Sequence, residues 1–141
     1  MNITVMAHDK KKELMVQFCT AYKSILAKHN LSATATTGRL VADATGLPVS
    51  LFLARSQGGH QQVDARIAYN EIDMVIIFSD PTDNDPWEDQ RVMQTLRLCE
   101  THNVPVATNL ATAEMLPAEI LWSPPNVMGK WPFSRDSVTR S

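Results

Sequence analysis

Chemistry-bearing side chains in this chain gather where apolar runs end. The longest cluster is Arg55-Ser56-Gln57-Gly58-Gly59-His60-Gln61-Gln62-Val63, set between a strand pattern and a helical one. Adjacent glycines let the backbone turn sharply and approach a ligand, and the helix that follows offers free N–H groups to an anion. His60 then stands at the crevice as an imidazole able to move protons, although a surface turn with an incidental histidine is spelled the same way. A second cluster, Thr34-Ala35-Thr36-Thr37-Gly38, lies at another strand-to-helix junction. Hydroxyls and backbone amides converging there make a phosphate cradle without a full P-loop, and the same threonines would serve as plain N-caps. Lys12, one turn into the first helix, points at a bound anion, whereas Lys10 and Lys11 read as a solvated basic face. His8 and Asp80 each follow an apolar run.

The elements that must position these residues follow from periodicity. Ile3–Ala7 is a short apolar strand, and Leu14, Met15, Phe18, Cys19, Tyr22, Ile25 and Leu26 recur at helical spacing after it, with Asp9 as the expected N-cap. Leu31–Ala35 reads as a second strand, followed by a short helix that ends before Gly46-Leu47-Pro48. Val49–Leu53 is a third strand, leading into the Arg55–Gln62 turn and a helix bearing Val63 and Ile67. Met74–Phe78 is continuous and β-branched, as a central parallel strand should be. Thr82–Asp89 reads as a polar loop, with the next helix marked by Val92, Leu96 and Cys99. Val104–Ala107 is a fifth strand, Leu110–Met115 a further helix, and Ile120–Trp122 a candidate edge strand. Alternating strands and helices predict a three-layer α/β/α domain around a mostly parallel, Rossmann-like sheet. Ligands bind such sheets at the C-terminal ends of the strands, which puts His8, Thr36, His60 and Asp80 on one rim.

Composition agrees with a single domain over 1–123, followed by an irregular tail over 124–141. The chain has 141 residues, 44% hydrophobic and 20% charged, with no internal repeat. A formal net charge of -2 argues against nucleic acid or an anionic membrane as partner, and no apolar run approaches membrane-spanning length. Cys19 and Cys99 fall within apolar helical stripes, so buried reduced thiols and a cytoplasmic location are expected. No metal or cofactor is expected.

In order and spacing, Ala7-His8-Asp9-Lys10-Lys11-Lys12, Ala33-Thr34-Ala35-Thr36-Thr37-Gly38, Gly58-Gly59-His60-Gln61-Gln62-Val63, Phe78-Ser79-Asp80-Pro81 and Pro105-Val106-Ala107-Thr108-Asn109 resemble segments of methylglyoxal synthases. The likeness runs from about Ile3 to Met115. It implies a lyase that converts dihydroxyacetone phosphate into methylglyoxal and inorganic phosphate, and a homohexamer. It also implies phosphate contacts from Lys12, Thr34, Thr36, Thr37 and nearby backbone at Ala35, Gly38 and Gly59, with a substrate contact from His8. The departures fall on chemistry. The family's carboxylate base, directly after the paired glycines, is here His60; a Ser-Gly pair that contacts phosphate is Ala54-Arg55; and a second histidine after the fourth strand is replaced by Trp87.

Two functions of different class follow. One is a lyase of this type with His60 as base, Asp80 as a nearby carboxylate and His8 on the substrate. The other is a catalytically weak or inactive phospho-ligand-binding regulatory domain of the same fold, with a hexameric scaffold bearing a vestigial pocket as the blander variant. The partner in either case is a small phosphorylated compound or inorganic phosphate.

Overall fold

The computed structural model describes residues 1–115. Its strands are β1 (Asn2–Ala7), β2 (Asn30–Thr34), β3 (Val49–Phe52), β4 (Met74–Phe78) and β5 (Val106–Ala107). The helices are α1 (Lys12–Ala21), a single turn α2 (Lys23–Leu26), α3 (Ala35–Thr45), α4 (Gly59–Ala68) and α5 (Pro86–Thr101); residues 110–115 are also helical. The expected strand at Ile120–Trp122, the boundary at 123 and the tail lie outside the described residues.

All five strands are parallel, in the order β3-β2-β1-β4-β5. β1 is central, with Val5 registered against Ala33 on one side and Ile76 on the other. Side chains alternate across the pleat. Ile3, Val5, Met74, Ile76 and Phe78 therefore join Met15, Phe18 and Val41 beneath α1 and α3. Met6, Val75 and Ile77 join Val63, Ile67 and Cys99 beneath α4 and α5. Residues of β4 are buried along its whole length, the sign of a strand covered on both faces. Burying each such aliphatic side chain stabilises the fold by roughly 1.5–3 kcal/mol. The cysteines are free and buried on opposite sides of the sheet, as two separate apolar environments would place them.

This order creates the crevice. The chain steps outward from β1 to β3, then crosses back to β4 on the other flank of β1, so the helices leaving β1 and β4 depart to opposite faces. The loops after those two strands must separate at that point, and a ligand site opens between them. They are tied at the root by the His8 amide, which donates to the Phe78 carbonyl at 2.8 Å. Among the described residues no helix is long and apolar enough to cross a membrane.

Candidate functional site

The loop after β1 begins with His8, whose Nδ1 accepts the Lys10 amide at 3.1 Å and so caps a 3-10 turn, Asp9–Lys11. The cap expected at Asp9 is thus one residue earlier. With Nδ1 accepting, the ring proton sits on Nε2, which donates to Asp83 Oδ2 at 2.5 Å. That bond, with the Asp85 amide, holds the Asp83 carboxyl below the usual carboxylate range. Asp9 is left to bind Lys12, whose Nζ donates to its Oδ1 at 2.6 Å and to the Ala7 carbonyl at 3.2 Å. The hydrogen bond and charge of Lys12 depress the Asp9 carboxyl in turn.

α3 starts directly at the end of β2. Thr34 occupies the N-cap position but its side chain makes no capping bond, and Thr37 Oγ1 is buried with no hydrogen-bond partner. A buried hydroxyl without a partner costs about 1–3 kcal/mol, a cost that a hydrogen-bonding ligand at this place would remove. The first-turn amides of a helix present partial positive charge at the same place. Lys12, Thr34, Thr36, Thr37, Ala54 and Arg55 line one cavity of about 140 Å³ together with Asp9 and Ser56. Three separate segments of the chain thus bring the residues of the expected anion cradle to one cavity. Ala35, Gly38 and Gly59 are not among the residues that line it.

The paired glycines do different jobs. Gly58 takes a left-handed φ of +99°, and a Cβ on Gly59 would lie 2.3 Å from the Leu53 carbonyl oxygen. Gly59 thereby opens α4 pressed against the strand end, and residue 60 becomes the second helical position. That geometry corrects the expectation for His60. Its ring does not stand at the crevice: it is 2% exposed, facing the interior with Val63 and Ile67. Both ring nitrogens lack a hydrogen-bond partner, and burial, aided by the charges of Arg55 and Arg91, pulls the imidazole down to about 4. Asp80 lines neither this cavity nor the one beside it. Its carboxylate is engaged by the Thr82 hydroxyl at 2.7 Å and amide at 2.9 Å, which hold it below the ordinary carboxylate value.

A second cavity, about 200 Å³, shares Asp9, Arg55 and Ser56 with the first and continues past His8, Asp83 and Asp85 to Glu88 and Arg91. Glu88 and Arg91 were not anticipated. The polar loop expected over Thr82–Asp89 is cut short because α5 begins at Pro86, with Asp85 capping it through the Trp87 amide at 3.0 Å. Asp before Pro at the first helical position is the signal that could have located this start. Once the helix starts there, Trp87 turns outward, 71% exposed, and Glu88 turns in. Glu88 Oε1 accepts a hydrogen bond from Arg55 Nη1 and lies 3.9 Å from His60 Nε2; its Oε2 is 3.6 Å from Arg91 Nη2. Among the described residues no group of three or more histidines, cysteines or carboxylates is placed to hold a metal ion.

Comparison with known proteins gives a consistent answer. A family model described as MGS-like domain matches residues 14–108. The chain is 60% identical over 116 residues to a methylglyoxal synthase of Caldicellulosiruptor saccharolyticus, covering 82% of each. It is 52% identical over 116 residues to that of a Thermoanaerobacter strain, covering 82% of this chain and 87% of the relative. The crystal structure of methylglyoxal synthase from Elizabethkingia anophelis NUHP1 superposes with a TM-score of 0.77 at 33% identity, covering 99% of this chain and 91% of that one.

Proposed function

We propose that this chain, which belongs to the MGS-like domain family, is a lyase of the methylglyoxal synthase type, acting on dihydroxyacetone phosphate or a closely related phosphorylated carbonyl compound and eliminating phosphate. The observation that carries the reading is the cradle at the start of α3, where Thr37 Oγ1 is buried without a partner beside Lys12 and Arg55. Phosphate would take hydrogen bonds from the threonine hydroxyls and helix amides and charge from the two cations. The carbon chain then extends past Arg55 into the neighbouring cavity beside His8.

The reaction asks three things of the site. A base removes a hydrogen from the carbon bearing the hydroxyl; the electron pair forms a carbon–carbon double bond while the carbonyl pair moves onto oxygen, giving an enediolate. A hydrogen-bond donor stabilises that oxygen; His8 Nε2–H, which donates to Asp83 Oδ2 in the unliganded chain, would serve by turning from that carboxylate to the substrate oxygen. Transfer of the terminal hydroxyl's proton to the enediolate oxygen lets the hydroxyl's electron pair form the aldehyde while the double bond shifts to the phosphate-bearing carbon and the carbon–oxygen bond to phosphate breaks; the resulting enol takes a proton at its terminal carbon, loses the one on its oxygen and becomes methylglyoxal. Phosphate leaves as the anion already held by Lys12, Arg55 and the threonines.

The withdrawal of His60 into the interior favours a second reading, a binding domain that holds a phosphorylated ligand without turning it over. Incubation with dihydroxyacetone phosphate, following methylglyoxal and free phosphate together, separates the two: equimolar appearance of both products supports the lyase. Ligand-induced thermal stabilisation without product supports the binding domain, and neither response removes the phosphate-site reading altogether. We also propose a homo-oligomer, with six copies as the family resemblance implies; Leu51 and Leu53, 45% and 47% exposed at the edge strand and just after it, support an apolar contact there. Sedimentation showing only the 15.7 kDa monomer at micromolar concentration would refute it.

A further inference from the structure

We infer that Glu88, at the start of α5, is the carboxylate that takes the substrate's carbon-bound proton. This rests on the lyase reading and names a base for it. Four carboxylates among the described residues line the joined cavities: Asp9, Asp83, Asp85 and Glu88. Asp9 is 83% exposed at its side chain and is neutralised by Lys12 at 2.6 Å. Asp83 is committed to His8, and Asp85 caps α5 from the solvent side. Glu88 differs from these in being buried between two arginines, which it joins across the cavity wall, rather than capping a helix or fixing His8. Its side chain is 11% exposed, and its polar neighbours are Arg55, Arg91 and the Nε2 edge of the His60 ring.

Arg55 explains how such a carboxylate is kept and then used. The guanidinium lines both cavities, donating to Glu88 from one side and lying 3.9 Å from Asp9 Oδ1 on the other. Without ligand it offsets the cost of keeping Glu88 away from water. A phosphate dianion in the cradle competes for the same guanidinium, leaving the carboxylate facing the carbon chain. His60 packs behind, 3.9 Å from the same oxygen, and as a neutral ring it neither neutralises Glu88 nor reaches either cavity. In the step itself the substrate's carbon–hydrogen bond breaks, an O–H bond forms on Glu88, and the electron pair enters the enediolate. The proton is returned to water or to the enol after phosphate leaves.

The test compares native protein, Glu88→Gln and His60→Asn on dihydroxyacetone phosphate carrying tritium at the hydroxymethyl carbon. Tritium released from the hydroxymethyl carbon, whether to water or to the methyl group of methylglyoxal, reads proton abstraction, methylglyoxal reads elimination, and stabilisation by inorganic phosphate reads the cradle. Glu88→Gln should lose tritium release and product formation by roughly 10²–10⁴-fold, the range for a general base. It should bind phosphate as well as the native protein or better, because Arg55 is no longer shared; His60→Asn should lose less activity than Glu88→Gln. Glu88→Gln activity within about tenfold of native, or a larger loss in His60→Asn, overturns the inference. Native protein releasing tritium but no methylglyoxal overturns the lyase reading only, and Glu88 is then decided by tritium release; native protein releasing neither overturns both. If Glu88→Gln does not melt cooperatively, Glu88→Asp keeps the charge while drawing it back: a tenfold or greater loss supports the assignment and full activity refutes it.

Discussion

Replacing His60 by leucine should flatten the protein's loss of stability in mild acid. The native ring is 2% exposed, has two unpartnered nitrogens, and is pulled from 6.5 down to about 4 by burial first and by Arg55 and Arg91 second. Well above pH 6.5 the ring is neutral in folded and unfolded chains alike, so it adds no pH dependence there. Between 6.5 and about 4 the unfolded chain takes up a proton that the folded chain refuses, and stability falls as pH falls. Integrated over that window the loss approaches about 3 kcal/mol, of which about 2 kcal/mol has appeared by pH 5. His29, also lowered by burial, and the depressed carboxyls of Asp9, Asp80 and Asp83 titrate in both proteins, so they cancel in the comparison. Asp64, raised by its own burial, cancels likewise. Urea unfolding followed by circular dichroism at pH 7 and pH 5, at one fixed protein concentration, gives the four free energies required. Leucine also removes two unsatisfied polar atoms, so the variant should be at least as stable as native protein at pH 7. If native and variant proteins lose the same stability between the two pH values, within about 0.5 kcal/mol, the ring is not held neutral by its surroundings and the reasoning fails.

Thr37→Val should leave the unliganded protein equally or slightly more stable, since it removes a buried hydroxyl with no partner. It should raise the phosphate concentration needed for half-maximal thermal stabilisation by about tenfold, equivalent to about 1.4 kcal/mol. Unchanged phosphate dependence would mean the hydroxyl does not face the anion. Gly59→Ala should destabilise the fold by about 1–3 kcal/mol in urea unfolding, because the new methyl meets backbone at the Leu53 carbonyl. Cys19 and Cys99, both pushed up to about 12 by burial, should resist iodoacetamide at pH 8 in the native protein and react fully only after denaturation. Rapid native labelling of either thiol would contradict the packing described.

Why some of this was legible in the sequence and some was not comes down to how far each feature reaches along the chain. β4 is a continuous apolar, β-branched run, so its bounds follow from five adjacent residues. The cradle likewise depends on Thr34, Thr36 and Thr37 lying beside one another at a strand end, and on Lys12 one turn into its helix. The rule that parallel strands present their C-terminal ends together then brings those two short segments and Arg55 to one cavity. The start of α5 was missed because the run of acidic and polar residues around Trp87 has no apolar period, although Asp85 and Pro86 spell a helix start.

His60 shows a different kind of limit. The paired glycines locate the turn, but the direction of the next side chain depends on which glycine begins the helix. With Gly58 in the left-handed region and Gly59 already helical, positions 60, 63 and 67 fall on one stripe, and that stripe faces the sheet. Those spacings were present in the sequence, and helical phase would have turned the imidazole inward. What local reading could not supply is the carboxylate that meets it. Glu88 comes from the next helix, and its distance to His60 is set by how α4 and α5 pack over Met6, Val75 and Ile77. Helix-to-helix register of that kind is a property of the packed core, so it becomes visible only when the two helices are seated on the sheet. A histidine after the glycines therefore reads as a lost carboxylate when taken alone. Seen with Glu88 across from it, the crevice retains an acidic group at its wall, carried by a different element.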